Sequence, residues 1–270
     1  MKVLAHILVF TLCASAALWP ASACAEDADA WQFGASIYGW FPDISGETAF
    51  GLSGGNEFKI GIDDILENLE FTLMGVFDAR KGRWGVLTDV IYMDVGNAKS
   101  GTREGTIGGS PIPTTATADI KLDIESWVWT LTGYYRAITK PGYTMDVIAG
   151  TRYLDVVQKI DWSLTGAIGS IDPAYRSGAA KTSLTNWDAI IGARGRYAFG
   201  AKKTWFVPYY LDIGVGDSDI TYQGIIGLGY AFGWGDIVAV WRYLYYDFAS
   251  DKAIKDMNFS GPAIGATFRW

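Results

Sequence analysis

Residues 262–270 alternate without a break. Pro262, Ile264, Ala266, Phe268 and Trp270 are apolar, while Ala263, Gly265, Thr267 and Arg269 are small or polar. A period of two with one apolar and one wet face is the pattern of a β-strand. The same period recurs along the chain and predicts ten strands: residues 31–41, 69–80, 84–95, 126–137, 143–155, 186–199, 204–216, 220–232, 237–247 and 257–270. Their lengths are near the 9–11 residues, roughly, that a tilted strand needs to cross a bilayer. In the first, Trp31, Phe33, Ala35 and Ile37 oppose Gln32, Gly34 and Ser36. The third is ambiguous, because Leu87, Ile91 and Met93 fall opposite Trp84, Val90 and Tyr92 and both faces look apolar.

The connections alternate in length. Tight turns rich in Gly, Pro and Lys follow the second, fourth, sixth and eighth strands, as hairpins require. Long loops follow the first, third and fifth, over residues 42–68, 96–125 and 156–185. Short turns on one rim and long loops on the other are the asymmetry of a membrane barrel. Residues 63–68 read as a short helix inside the first long loop, with Ile65 and Leu66 on its apolar side. A hairpin within residues 45–62 would raise the strand count to twelve. Tyr-x-Asp recurs at Tyr92/Asp94, Tyr153/Asp155, Tyr210/Asp212 and Tyr245/Asp247. The pattern predicts Tyr at headgroup level with Asp just beyond it.

Residues 1–25 read as a cleaved signal peptide: Lys2, then an apolar run, then Ala23-Cys24-Ala25 as a small-x-small cleavage site. Residues 26–270 form a single domain. Cleavage removes both cysteines, Cys13 and Cys24, and the only histidine, His6. Without Lys2 the charge stands at 21 basic against 29 acidic residues, a net of −8, which argues against a nucleic-acid partner. No mature stretch is apolar enough for a spanning helix, yet aromatic residues reach 15% and glycines number 33. These features predict an all-β fold: a closed antiparallel up-and-down transmembrane β-barrel of ten strands, with eight or twelve as alternatives.

Loss of His6 leaves no histidine general base, and no Cys or His remains for zinc or haem. No cofactor, no metal and no enzymatic activity are expected. Carboxylate-only catalysis through Glu70, Asp146 or Asp188 stays conceivable. Those residues, however, share the polar strand face with arginines. The inward parity collects Glu70, Asp78, Arg80, Arg136, Asp146, Arg152, Asp188, Arg194, Arg196, Arg242 and Arg269. Such a set predicts a charge network that fills a narrow lumen and leaves at most a thin, interrupted water path.

The closing strand, ending on Phe268 and Trp270, resembles that of Gram-negative outer-membrane β-barrels. In those proteins the terminal aromatic is part of the assembly signal, so the resemblance implies the barrel assembly machinery as a partner during biogenesis. Tyr38-Gly39-Trp40-Phe41-Pro42, Lys81-Gly82-Arg83-Trp84-Gly85-Val86 and Trp241-Arg242-Tyr243 resemble a group of proteobacterial envelope proteins that carries no known function. No site residues transfer from it. The resemblance implies the cell outer membrane, with lipid and lipopolysaccharide as surroundings. The expected function is structural, or a narrow passive pore for small hydrophilic solutes. The alternatives are a surface binding or adhesion protein acting through its long loops and a soluble periplasmic lipocalin-like barrel.

Overall fold

The computed structural model describes residues 30–48, 56–98, 106–107, 110–111, 117–166, 174–248 and 254–270. The expected signal peptide, residues 1–25, lies outside them. In chain order the elements are β1 (Trp31–Trp40), β2 (Asp43–Thr48), β3 (Asn56–Ile60), α1 (Ile62–Asn68), β4 (Leu69–Lys81), β5 (Trp84–Ala98), β6 (Thr106–Ile107), β7 (Ser110–Pro111) and β8 (Thr117–Lys140). They continue with β9 (Tyr143–Gly166), β10 (Ala174–Phe199), β11 (Trp205–Gly216), β12 (Ser218–Ala231), β13 (Gly235–Phe248) and β14 (Ile254–Arg269). Ten of these close an antiparallel ring in the order β1-β4-β5-β8-β9-β10-β11-β12-β13-β14, with β14 pairing back on β1. The chain is a closed ten-stranded β-barrel, and closure leaves no unpaired edge along its wall.

The seam is set by the alternating C-terminal strand. Its register runs from Gly34↔Arg269 to Trp40↔Ala263. Phe33 and Trp270 then exchange both backbone hydrogen bonds, at 2.9 and 3.1 Å. The upper half of β14 pairs with β2 instead, from Asp43↔Ser260 onward. β1 and β2 are thus one path interrupted at Phe41-Pro42. Pro42 faces Gly261 and has no N–H to give the ladder, and Phe41 stands against Pro262. The hairpin expected within residues 45–62 does form, as β2 and β3. It continues the sheet above the seam without entering the ring, so the barrel keeps ten strands.

Two expectations are corrected. The segments 96–125 and 156–185, read as long loops, are largely strand. β8, β9 and β10 run for 24, 24 and 26 residues, roughly twice a spanning length. Their mutual pairing continues to Thr117↔Thr165 and Ala174↔Gly166, which satisfies backbone groups that a loop would leave to water. The Tyr-x-Asp repeat also splits. On β11, Leu211, Ile213 and Val215 face outward and are exposed, so Tyr210 and Asp212 necessarily face the interior.

The outer wall carries the apolar residues. Ile37, Leu211, Ile226 and Ile264 are 72, 62, 61 and 56% exposed. An aromatic girdle circles the tight-turn rim: Phe33 packs on Trp31, Phe77 and Trp270, and Trp234 packs on Phe232 and Phe268. A second girdle lies toward the far rim, where Tyr92 meets Phe71 and Trp127 and Tyr153 meets Trp187. At the tight turns Gly82, Gly142 and Gly200 take positive φ values of 60, 87 and 82°, a region glycine enters without a Cβ penalty.

Candidate functional site

The barrel interior is stacked in three layers. Toward the long-connection rim it is a hydrophobic core. Trp40, Met74, Ile91, Leu154, Leu244 and Phe259 belong to one buried cluster. α1 contributes Ile65, which is 4% exposed, and Asp43 accepts a hydrogen bond from the Ile62 N–H at 2.9 Å, fixing the helix start. The segment 63–68 thus lies in the predicted helix and seats one side chain in the plug.

Beneath the plug lies a layer of buried ion pairs. Arg152 pairs with Asp212, and neither side chain is exposed. Arg242 pairs with Asp89 at 2.9 Å, donates twice to Gln223, and donates to the Tyr38 hydroxyl at 2.9 Å. The Tyr38 hydroxyl donates in turn to Asp89 at 2.6 Å. Arg152 and Arg242 in this layer are 0 and 2% exposed.

Below that layer is a cavity of about 570 Å³. It widens toward the tight-turn rim, where Arg269 and Arg196 are 50 and 29% exposed, against 3% for Arg242 at its ceiling. Asp146 anchors its deeper wall, taking Arg136 at 2.7 Å and Arg194 at 3.3 Å. Arg194 also pairs with Asp78, which accepts the Tyr134 hydroxyl at 2.8 Å. At the mouth Asp236 serves two arginines, Arg196 at 3.2 Å and Arg269.

Two guanidiniums sit close over aromatic rings, Arg194 over Tyr134 at 4.1 Å and Arg196 over Phe206 at 3.8 Å from the ring centroid. Each ring rests on a glycine of the neighbouring wall. A Cβ on Gly85 would strike the Tyr134 ring, and one on Gly229 the Phe206 ring. Guanidinium, ring and glycine therefore form two stacked supports that position the arginines.

Of the residues expected inside, Asp78, Arg80, Arg136, Asp146, Arg194, Arg196 and Arg269 gather around this cavity, Arg242 forms its ceiling, and Arg152 sits in the layer above it. Arg80 donates to Gln32 and to the Gly82 carbonyl at the rim. Asp188 does not take the arginine expected for it. It is satisfied by the Asn186 amide at 2.6 Å and by the Ser218 N–H and hydroxyl at 2.9 and 2.7 Å. Glu70 lies in β4, and its side chain is outside the described residues. Sequence reasoning missed Asp89, Asp212 and Asp236, the partners of Arg242, Arg152 and of Arg196 with Arg269. Phe268 and Trp270 face outward in the lower girdle, 47 and 65% exposed.

No family model matches the chain, and no curated protein matches it. Among solved structures it is similar to the outer-membrane protease OmpT of Escherichia coli, at 10% identity, covering 90% of this chain and 98% of that one, with a TM-score of 0.49. It is similar also to the translocator domain of the autotransporter NalP of Neisseria meningitidis, at 15% identity, 89 and 88% coverage and a TM-score of 0.41. The attachment invasion locus protein Ail of Yersinia pestis matches at 8% identity, 90 and 99% coverage and a TM-score of 0.33.

Proposed function

We propose that the protein is an integral outer-membrane β-barrel, sealed toward its long-connection side and open as a cup toward its tight-turn side. The observation that carries this is the outer wall: exposed aliphatic side chains between two aromatic girdles, a surface suited to lipid and costly in water. In this reading lipid and lipopolysaccharide cover the wall. Phe268 and Trp270 serve the barrel assembly machinery, and the expected signal peptide takes the chain to it. The same wall weighs against the soluble lipocalin-like alternative. Of the two expected roles the structural one is favoured over the pore, because the apolar plug and the buried arginine layer lie across the lumen. No enzymatic role is proposed. Membrane fractionation tests the location: extraction by detergent alone and a heat-shifted gel band are expected, and release by osmotic shock would refute it. Recording in planar bilayers tests the seal, with no conductance steps expected.

The surface-binding alternative gains support from one feature. β8, β9 and β10 run well beyond a spanning length and offer an extended ribbon. Deleting residues 99–116, which lie between β5 and β8 and include the β6–β7 hairpin, should abolish binding to cells while the barrel stays heat-modifiable. Unchanged binding counts against this second role.

A further inference from the structure

The cavity at the tight-turn mouth differs in charge from the chain that builds it. The full chain carries a net charge of −7, whereas among the described residues six arginines and four aspartates line the cavity, a net of +2. That excess is not spread evenly. Deep in the cavity Arg136 and Arg194 face Asp78 and Asp146, and at the ceiling Arg242 faces Asp89. Charge balances at both levels. At the mouth Arg196 and Arg269 share the carboxylate of Asp236, which leaves positive charge in excess between them.

The wall above the mouth carries an apolar patch. Ile225 on β12, Val238 and Val240 on β13, and Ala263 on β14 present apolar side chains to the cavity, with Ile225 in register with Arg242. These strands stand across the ten-membered ring from β5, β8 and β9, which carry Leu87, Arg136 and Asp146. A ligand entering here meets positive charge first and an apolar slot behind it. The ceiling hydrogen bonds of Arg242, Tyr38 and Asp89 are satisfied internally.

We propose that this cup binds an amphiphilic anion, an aliphatic body with one carboxylate or phosphate head, inserted tail first from the tight-turn side. The aliphatic chain lies along Ile225, Val238 and Val240, and the head rests between Arg196 and Arg269. Arg196 is held ready by its stack on Phe206, so binding costs little side-chain ordering. Planar guanidiniums suit both kinds of oxyanion. A volume of about 570 Å³ lies within the range of small-molecule sites and fits one chain better than a two-chain lipid. The sidedness of entry rests on the outer-membrane reading above; the binding itself does not.

Calorimetric titration of the full barrel in lipid nanodiscs, with empty nanodiscs subtracted, tests this. Octanoate and octyl phosphate are expected to bind saturably, and comparison of the two separates the sources of the head. Octanol, octylammonium and inorganic phosphate are expected not to bind. Arg196→Gln and Arg269→Gln should each weaken octanoate about tenfold, since each removes one charged hydrogen-bond donor. Arg196→Lys should restore most of the affinity. Octanoate binding no better than octylammonium or octanol overturns the proposal, as does unchanged affinity in both glutamine variants with the heat-shifted band retained. A barrel that fractionates with the outer membrane and stays non-conducting but takes no octanoate loses only this inference. A barrel that conducts or is released by osmotic shock fails the broader reading whatever the titration shows.

Discussion

Arg152 of β9 and Asp212 of β11 face each other across β10 inside the barrel, joined as an ion pair with both side chains fully removed from solvent. Two further contacts support the guanidinium: Thr130 at 3.3 Å and Thr221 at 3.5 Å. The pair divides the apolar plug from the cavity below. A buried pair of this kind is weak evidence for net stability, because desolvation offsets much of the attraction. Removing one partner is a different matter, since the other is left charged and dry.

Asp212→Ala should therefore destabilise the barrel by about 3–5 kcal/mol, whereas the double variant Arg152→Met/Asp212→Leu should recover most of that loss. Urea-induced unfolding in detergent or bilayers, followed by loss of the heat-shifted band, reads both. A double variant no better than Asp212→Ala would show that the pair itself, with its two threonines, carries the stability of this layer.

The stacked supports make a steric prediction. Gly229→Val would drive a side chain into the Phe206 ring, on which Arg196 lies. Overpacking typically costs about 1–3 kcal/mol. Octanoate affinity should fall alongside stability, because the displaced ring no longer holds Arg196 at the mouth. Gly224→Val, on the same strand but with a Cβ in ordinary van der Waals contact with Leu211 at 3.5 Å, should change octanoate affinity little. Equal effects of the two on octanoate binding would refute the support role of the glycine.

Much of this architecture was legible in the alternation of polar and apolar residues. Residues 31–41 and 257–270 announced the seam because their two faces differ sharply, and the inward parity of Arg136, Asp146 and Arg194 followed from the same count. The acidic partners were harder to see, each for its own reason. Asp89 stands in a strand whose inner face also carries Leu87, Ile91 and Met93, because the plug demands apolar side chains where a lumen would ordinarily be polar. Asp212 shared a motif with outward residues, and only the parity of Leu211 and Ile213 reveals its true face. Asp236 adjoins a tight turn, where composition marks the bend and hides the strand that starts at Gly235. The extension of β8 to β10 depends on which strands meet, a long-range fact that local pattern does not encode.

The seal is predicted to be redundant. Leu244 is fully buried in the plug, and Leu244→Ala should cost about 2–5 kcal/mol through the cavity it leaves. It should still give no conductance steps in planar bilayers, because Arg152 and Arg242 remain beneath it. Stable conductance in this single variant would mean that the plug alone closes the barrel.

The closing residue permits two effects to be separated. Trp270 contributes a backbone that exchanges hydrogen bonds with Phe33 at 2.9 and 3.1 Å, and a ring stacked on Phe33 with centroids 6.0 Å apart. Trp270→Ala removes the ring and keeps the backbone, whereas deleting residue 270 removes both. For refolding of purified protein into detergent the two hydrogen bonds matter directly, each contributing about 0.5–1.5 kcal/mol, so the deletion should be the less stable variant. Inside the cell the order should change if the exposed ring is what the assembly machinery reads. Trp270→Ala and the deletion should then accumulate as heat-shifted barrel to the same reduced level, and Trp270→Phe should restore it. An alanine variant that assembles in cells as well as the parent protein would leave the terminal residue only its part in closing the seam.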